Sequence, residues 1–137
     1  MRVGVVYFFE SENNKLIKIV SSLAEGIRFQ GHQVDIINGN LDVNSRLTVY
    51  NYIALGAESV SFFGGKINAS VSTFLGNAGL VRGKRAYAFT LGSSLRIQKT
   101  LRKLMGIMEH EGIYLKKSDV IKNSEDALNI GKKLHIS

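Results

Sequence analysis

Three polar segments, each directly after an apolar run, hold the residues best placed to bind a ligand. They span residues 10–15, 56–66 and 90–94, and the last two are rich in glycine and hydroxyl side chains. In an open α/β sheet, ligands bind beyond the carboxyl ends of the strands, where such loops lie. The adjacent Phe62 and Phe63 of the second segment would expose apolar surface unless a ligand or the protein itself covered them.

The sequence lacks the motifs of several other kinds of site. It has neither a Walker loop nor G-x-G-x-x-G, so a nucleoside-triphosphate or Rossmann-type dinucleotide site is not expected. The absence of cysteine excludes thiol catalysis, zinc–thiolate sites and iron–sulfur clusters. No G-x-S-x-G elbow is present, and the histidines stand apart without metal-ligand spacing, at His32, His110 and His135.

The elements that must position these loops alternate along the chain. A nearly continuous apolar run, typical of a strand buried on both faces, predicts a strand over residues 3–9. Shorter, largely apolar stretches predict strands over residues 34–37, 52–55, 86–89 and 113–115. Apolar residues at three- and four-residue steps predict helices over 16–27 and 97–108, a third from about Asn68, and a fourth capped by Ser124. Residues 41–51 carry a weak helical pattern. The alternation predicts one α/β domain over residues 1–137, a parallel sheet with helices on both faces.

The chain is basic. Its 137 residues include 18 lysines and arginines against 11 acidic residues, a formal net charge of +7. This excess predicts attraction to anions, or it serves solubility alone. No apolar run approaches the ~20 residues that span a bilayer. The apolar start runs into Glu10 without a cleavage site, so we interpret it as a strand rather than a signal peptide and expect a cytoplasmic protein.

Several segments together resemble the flavodoxin family over nearly the whole length. The matching positions are residues 19–27, 31–38, 50–56, 74–75, 80, 83–84 and 86–89. The resemblance implies a three-layer flavodoxin-like α/β fold, with a five-stranded parallel sheet of order 2-1-3-4-5 and helices on both faces. It also implies that the loops after strands one, three and four bind FMN and that the protein transfers electrons to a redox partner protein. These matches lie in the scaffold, whereas function resides in the site.

The resemblance assigns a role to each of the three loops. The first would hold the phosphate, the second would place Phe62 or Phe63 against the isoalloxazine ring, and the third would face the pyrimidine edge. Because the flavin carries the electrons, no catalytic acid or base is required. The implied cofactor-binding residues are Ser11, Asn13, Asn14, Lys15, Ala57, Glu58, Phe62, Phe63, Gly64, Gly65, Thr90, Leu91, Gly92, Ser93 and Ser94.

The first loop departs from the family's phosphate loop, which resembles Ser-x-Thr-Gly-x-Thr. Ser11 keeps a hydroxyl, whereas Glu12 stands at the glycine and Asn14 at the last threonine. A carboxylate about 6 Å from a phosphate dianion would cost ~1 kcal/mol in water and ~5 kcal/mol near a protein surface. Lys15 and the helix N-terminus would offset part of this cost, and a left-handed Asn13 or Asn14 could form an anion-binding nest. The alternative is a solvated turn without a ligand.

A second hypothesis is a flavin-free domain of this fold that binds an acidic protein or nucleic acid through its basic surface. Arg96, Lys99 and Lys103 share one face of the helix predicted over 97–108. Other basic residues adjoin them or lie in or near turns: Arg82, Lys84, Arg85, Arg102, Lys116 and Lys117. Charged residues also cover solvated helix faces without any function. Flavodoxins that carry electrons are typically acidic, so the basic chain departs from the family. We favour a redox protein over nucleic acid as the partner.

Overall fold

Strands and helices alternate along the chain. The structure, a computed structural model, describes residues 1–9, 13–59, 64–91 and 96–136, and for residues 64–68 it describes the backbone alone. In these ranges the elements are β1 (Arg2–Phe8), α1 (Asn14–Phe29), β2 (Gln33–Asn38), β3 (Tyr52–Glu58), α2 (Gly64–Gly76), β4 (Arg85–Leu91), α3 (Ile97–His110), β5 (Tyr114–Val120) and α4 (Ser124–Lys133). None of these helices combines the length and apolarity that a membrane span requires.

The strands pair in parallel in the order β2-β1-β3-β4-β5, which confirms the predicted sheet. Helices α1 and α4 pack on one face of the sheet, and α2 and α3 pack on the other, so the fold has three layers. Each strand of the interior is apolar on both sides because both faces are covered. The continuous apolar runs in the sequence arise from this double burial.

Each face has its own hydrophobic core. On the α1–α4 face, Leu23 of α1 and Tyr87 of β4 are fully buried in one cluster. On the α2–α3 face, Phe8, Phe74 and Leu104 belong to a second cluster. The rings of Phe8 and Phe74 meet edge to face with their centroids 5.5 Å apart, which is a favourable geometry for aromatic pairs.

The weak helix predicted within residues 41–51 is wrong. This segment consists of turns and irregular backbone that cross from β2 to β3. Its buried side chains are those of Leu47 and Tyr50, and the backbone N–H of Leu47 donates to the carbonyl of Ala78 at 2.7 Å. Apolar side chains and hydrogen bonds to neighbouring segments therefore hold this crossover against the sheet.

Strand β3 extends past Gly56, which the sequence suggested as its end. Gly56 lies in the middle of the sheet, and a Cβ atom there would collide with the ring of Phe89 on β4. This glycine makes room for an aromatic side chain and does not form a turn. The loop after β3 is correspondingly shorter than predicted.

Two other strands are longer than their apolar runs. β4 continues through Thr90 and Leu91, which the sequence placed in the following loop and whose side chains are fully buried. β5 continues through the polar residues 116–119 to Val120. It is an edge strand and half exposed, so its polar residues do not show the apolar pattern of the interior strands. Arg85, Lys116 and Lys117, which the sequence placed in or near turns, lie in strands.

Two helices begin earlier than predicted. α2 starts at Gly64 rather than near Asn68. The N-cap of α4 is Asn123, whose side-chain oxygen accepts the N–H of Asp126 at 2.8 Å, and Ser124 becomes the first helical residue. Asparagine and serine are comparable caps, so composition alone does not distinguish the two positions.

Helices α1 and α4 cross where two glycines face each other. A Cβ atom on Gly26 would collide with the carbonyl oxygen of Leu128 and lie 2.9 Å from the Cα atom of Gly131. A Cβ atom on Gly131 would meet the backbone of α1 in the same way, at Leu23. The obstructing atoms belong to the backbone, so a side chain at either position forces the helices apart.

We expect Gly26→Ala to lower the free energy of unfolding by about 3 kcal/mol, because overpacking against fixed backbone is not relieved by a rotamer change. The matched control is Gly106→Ala in α3, where the added methyl group meets no atom within 4 Å. That variant should be stabilised by about 1 kcal/mol through helix propensity alone. Urea denaturation measures the free energy of unfolding of both variants. Equal effects of the two substitutions would contradict the close crossing of α1 and α4.

Candidate functional site

The carboxyl ends of β1, β3 and β4 lie side by side. Phe8 of β1 is in register with Ala57 of β3, and Ala57 is in register with Thr90 of β4. Just beyond the strands, the N–H of Ser59 donates to the carbonyl of Leu91 at 2.8 Å. The three loops that follow, over residues 9–13, 59–64 and 91–96, therefore start next to one another. We call these three loops and the strand ends that carry them the carboxyl rim.

The carboxyl rim contains the switch point of the sheet. The chain leaves β1 for α1 on one face and leaves β3 for α2 on the opposite face. Loops that diverge in this way leave a crevice between adjacent strands, where open α/β sheets bind their ligands. The topology thus places the first two predicted loops at the two sides of one crevice.

The first loop is fixed at both ends by asparagine side chains. At its start, the N–H of Phe9 donates to Oδ1 of Asn40 at 2.9 Å, from the turn after β2. At its end, Oδ1 of Asn13 accepts the N–H groups of Lys15 at 3.0 Å and Leu16 at 3.4 Å, which caps α1. The sequence analysis did not identify Asn40, because a contact between residues 31 positions apart leaves no local signal.

The N-terminus of α1 is electrostatically suited to an anion. Asn13, Asn14 and Lys15 are exposed, and the first turn of the helix has no acidic residue. The helix dipole and the Lys15 ammonium group both favour negative charge there. Asn13 has φ −144°, and no described residue other than glycine has a positive φ, so neither Asn13 nor Asn14 has the left-handed geometry that the sequence left open.

Hydroxyl groups gather where the second and third loops begin. Ser59 is buried, and its Oγ lies 3.1 Å from Oγ1 of Thr100 in α3. Thr90 is fully buried, and its Oγ1 has no hydrogen-bond partner among the described residues. Leu91 is also fully buried and packs in the core on the α1–α4 face. The sequence prediction included Thr90 but missed Ser59 and Thr100, since their pairing depends on how α3 docks on the sheet.

The remaining predicted site residues divide into two groups. Ala57 and Glu58 end β3, and Gly64 and Gly65 open α2. The other predicted site residues lie outside the described residues: Ser11, Phe62, Phe63, Gly92, Ser93 and Ser94. Glu10 and Glu12, whose carboxylates would oppose a phosphate, also lie outside them.

The shifted pKa values found in the described residues do not point to acid–base chemistry at the carboxyl rim. Burial raises the pKa of Tyr52 to about 12. Burial also raises the pKa of Tyr87, whose hydroxyl donates to Oδ2 of Asp119 at 2.9 Å. Both phenols remain protonated at neutral pH, and no group of residues suited to hold a metal ion occurs in the described ranges.

Comparison with known proteins adds a structural likeness. No protein-family description matches the sequence, and no curated protein does. Among solved structures, a flavodoxin from the domain Archaea superposes with a TM-score of 0.70 and 17% identity, over 98% of this chain and 96% of that one. Oxidised flavodoxin 1 from Bacillus cereus superposes with a TM-score of 0.73 and 17% identity, over 96% of this chain and 95% of that one. A flavodoxin from Streptococcus pneumoniae TIGR4 superposes with a TM-score of 0.70 and 14% identity, over 96% of this chain and 97% of that one.

This chain has the flavodoxin fold. The superposition extends over nearly the full length of both molecules, and the strand order is the one that the flavodoxin resemblance implied. At 17% identity or below, the likeness concerns the fold alone. The chemistry of the carboxyl rim therefore has to be argued from the residues of this chain.

We expect Asn13→Ala to destabilise the protein by about 1 kcal/mol, because two N–H groups at the start of α1 lose their acceptor. Asn13→Asp preserves the acceptor and should retain wild-type stability or exceed it slightly through the helix dipole. Urea denaturation of the two variants tests the cap. Equal destabilisation by alanine and aspartate would show that the Asn13 side chain does not hold the end of the first loop.

Proposed function

We propose that this chain binds FMN at the carboxyl rim and acts as an electron carrier. The observation that carries the proposal is the register of β1, β3 and β4, which starts three loops side by side in a chain with the flavodoxin fold. When bound, FMN supplies the redox chemistry. The protein supplies binding, orientation and electrostatics.

The first loop would hold the phosphate group. The N–H groups of Lys15 and Leu16 already donate to Asn13, and that of Ile17 donates to the Asn13 carbonyl. The phosphate would therefore use the N–H of Asn14, the preceding loop and the Ser11 hydroxyl. The ammonium group of Lys15 and the N-terminal end of α1 would compensate its negative charge.

The second and third loops would hold the isoalloxazine ring. Phe62 or Phe63 would provide an aromatic face, and the amides of Gly64 and Gly65 can approach a ring closely because glycine has no side chain. The third loop, with Gly92, Ser93 and Ser94, would meet the polar edge of the ring. The buried Oγ1 of Thr90 fits this arrangement, since it lacks a partner among the described residues and lies at the end of β4.

The site residues favour an electron carrier over an enzyme with a substrate of its own. The described groups whose pKa values are shifted, His32, Tyr50, Tyr52 and Tyr87, lie outside the carboxyl rim. Electron exchange through a bound flavin needs no general acid or base, only access of a partner to the ring edge. We therefore propose a redox protein as the partner.

Titration with FMN, followed by flavin fluorescence and the visible spectrum, tests the proposal. We expect one FMN per chain and a rise in melting temperature with FMN concentration. Phe62→Ala or Phe63→Ala should weaken binding about five- to tenfold, the equivalent of about 1 to 1.4 kcal/mol of lost aromatic contact. Phe29→Ala is the matched control, because Phe29 is 76% exposed at the end of α1 that points away from the carboxyl rim.

One result would contradict FMN binding itself, and another would contradict only the aromatic contact. A protein that stays colourless and keeps its melting temperature in excess FMN does not bind the cofactor. Normal FMN binding by both the Phe62 and the Phe63 variants would leave the cofactor in place but would reject the aromatic contact.

A further inference from the structure

A basic surface lies at the end of the molecule opposite the carboxyl rim. Arg85 begins β4 and Tyr114 begins β5, and these two residues are paired in register on adjacent strands. Three more cations lie nearby, at Arg46, Arg82 and Lys116. We call the surface formed by Arg46, Arg82, Arg85, Tyr114 and Lys116 the basic strip. Strands of seven residues separate it from the carboxyl rim by roughly 23 Å.

A tight turn fixes the centre of the basic strip. The N–H of Lys84 donates to the carbonyl of Val81 at 3.1 Å, and Gly83 has φ 79°, the pattern of a type II turn. The N–H of Gly83 donates to the carbonyl of Gly112 at 2.7 Å, which ties this turn to the end of α3. Arg82 packs over Gly112, where a Cβ atom would lie 2.7 Å from its Cγ.

The neighbouring crossover brings Arg46 to the same surface. The Arg46 guanidinium lies beside Gly79, just after α2, because a Cβ atom placed on that glycine would be 3.5 Å from Nη1 of Arg46. The hydroxyl of Thr48 accepts the N–H of Leu80 at 3.0 Å, which holds the crossover beside this turn. Backbone hydrogen bonds and glycine contacts therefore place three arginines from two segments on one end of the molecule.

The cations of the basic strip are not neutralised by the protein around them. Arg46, Arg82, Arg85 and Lys116 are exposed, and none forms an ion pair with a carboxylate in the described part of the chain. Lys84 differs, because its ammonium group donates to the carbonyls of Thr48 and Tyr50 and so has a structural role. Four exposed and uncompensated positive charges on one surface attract anions.

An aromatic ring accompanies these charges. Tyr114 is 58% exposed, and Nζ of Lys116 lies 5.0 Å from the centroid of its ring. Lys116 is the extra residue at the register shift between β4 and β5, where Ala86 pairs with Leu115 and Tyr87 with Lys117. Such a bulge on an edge strand redirects a side chain, and here it brings a cation to an exposed aromatic face.

We propose that the basic strip binds single-stranded nucleic acid. The guanidinium and ammonium groups contact successive phosphates, and a base stacks on the free face of Tyr114. An acidic protein is the less favoured occupant, because its carboxylates would pair with the cations and leave the exposed ring of Tyr114 without a stacking partner. The proposal is independent of FMN binding, so either can fail without the other.

Fluorescence anisotropy with 5′-labelled single-stranded RNA and DNA oligonucleotides tests the proposal in the full-length chain. We expect the logarithm of the association constant to fall linearly with the logarithm of salt concentration. Arg85→Ala and Arg46→Ala should each weaken binding and reduce the salt slope by about 0.7. Tyr114→Ala should weaken binding about tenfold without changing the slope, and Tyr114→Phe should bind like the wild type.

Arg102→Ala is the charge-matched control, an exposed arginine on α3 outside the basic strip. The proposal is overturned if Arg102→Ala weakens binding as much as Arg85→Ala, or if no oligonucleotide binds at low salt. It is also overturned if labelled polyglutamate binds more tightly than the oligonucleotides and is insensitive to Tyr114→Ala, since that result identifies an acidic protein as the partner. Arg82→Ala is avoided because Arg82 packs against Gly112.

Discussion

In a parallel sheet every loop that follows a strand leaves at the same edge, and this constraint underlies the rest of the structure. The register of β1, β3 and β4 starts three loops beside one another at this edge. Hydrogen bonds from the N–H of Phe9 to Asn40 and from the N–H of Ser59 to Leu91 then hold the loop starts in place. The position of a binding site is thus a property of the sheet, whereas its chemistry belongs to the loop residues.

The two ends of the sheet have different characters. At the carboxyl rim, polar side chains and buried hydroxyls gather around the N-terminus of α1 and the ends of β3 and β4. At the opposite end, turns that require glycine present arginines and an exposed tyrosine to solvent. Four of the 18 basic residues of the chain lie on this surface, about 23 Å from the carboxyl rim.

The sequence predicted the fold well because double burial leaves a strong signal. Apolar runs marked the three interior strands β1, β3 and β4, and helical spacing marked α1 and α3. The errors arose where tertiary contacts override local pattern: Gly56 remains in β3 because Phe89 needs its space, and Thr90 remains in β4 because β3 pairs with it. Most of β5 was not predicted because its residues are polar, and an edge strand does not need apolar side chains on both sides.

The site was less predictable than the fold. Its loops could be located from the strand ends, but Asn40, Ser59 and Thr100 act through partners that are distant in sequence. No short motif encodes such contacts, because they appear only when the turn after β2 and helix α3 have docked. Asn13 was identified correctly as a loop residue, but its role as the helix cap depends on the extended backbone that the structure gives it.

The most direct test of a cofactor site at the carboxyl rim is a residue-resolved NMR titration of the protein with FMN. If the three loops form one site, the amide shifts should be confined to the residues around Phe9, Asn13–Leu16, Ala57–Ser59 and Thr90–Leu91, and should saturate together. Shifts scattered over the surface, clustered on the basic strip or absent from one of the three loops would contradict a single FMN site at the carboxyl rim.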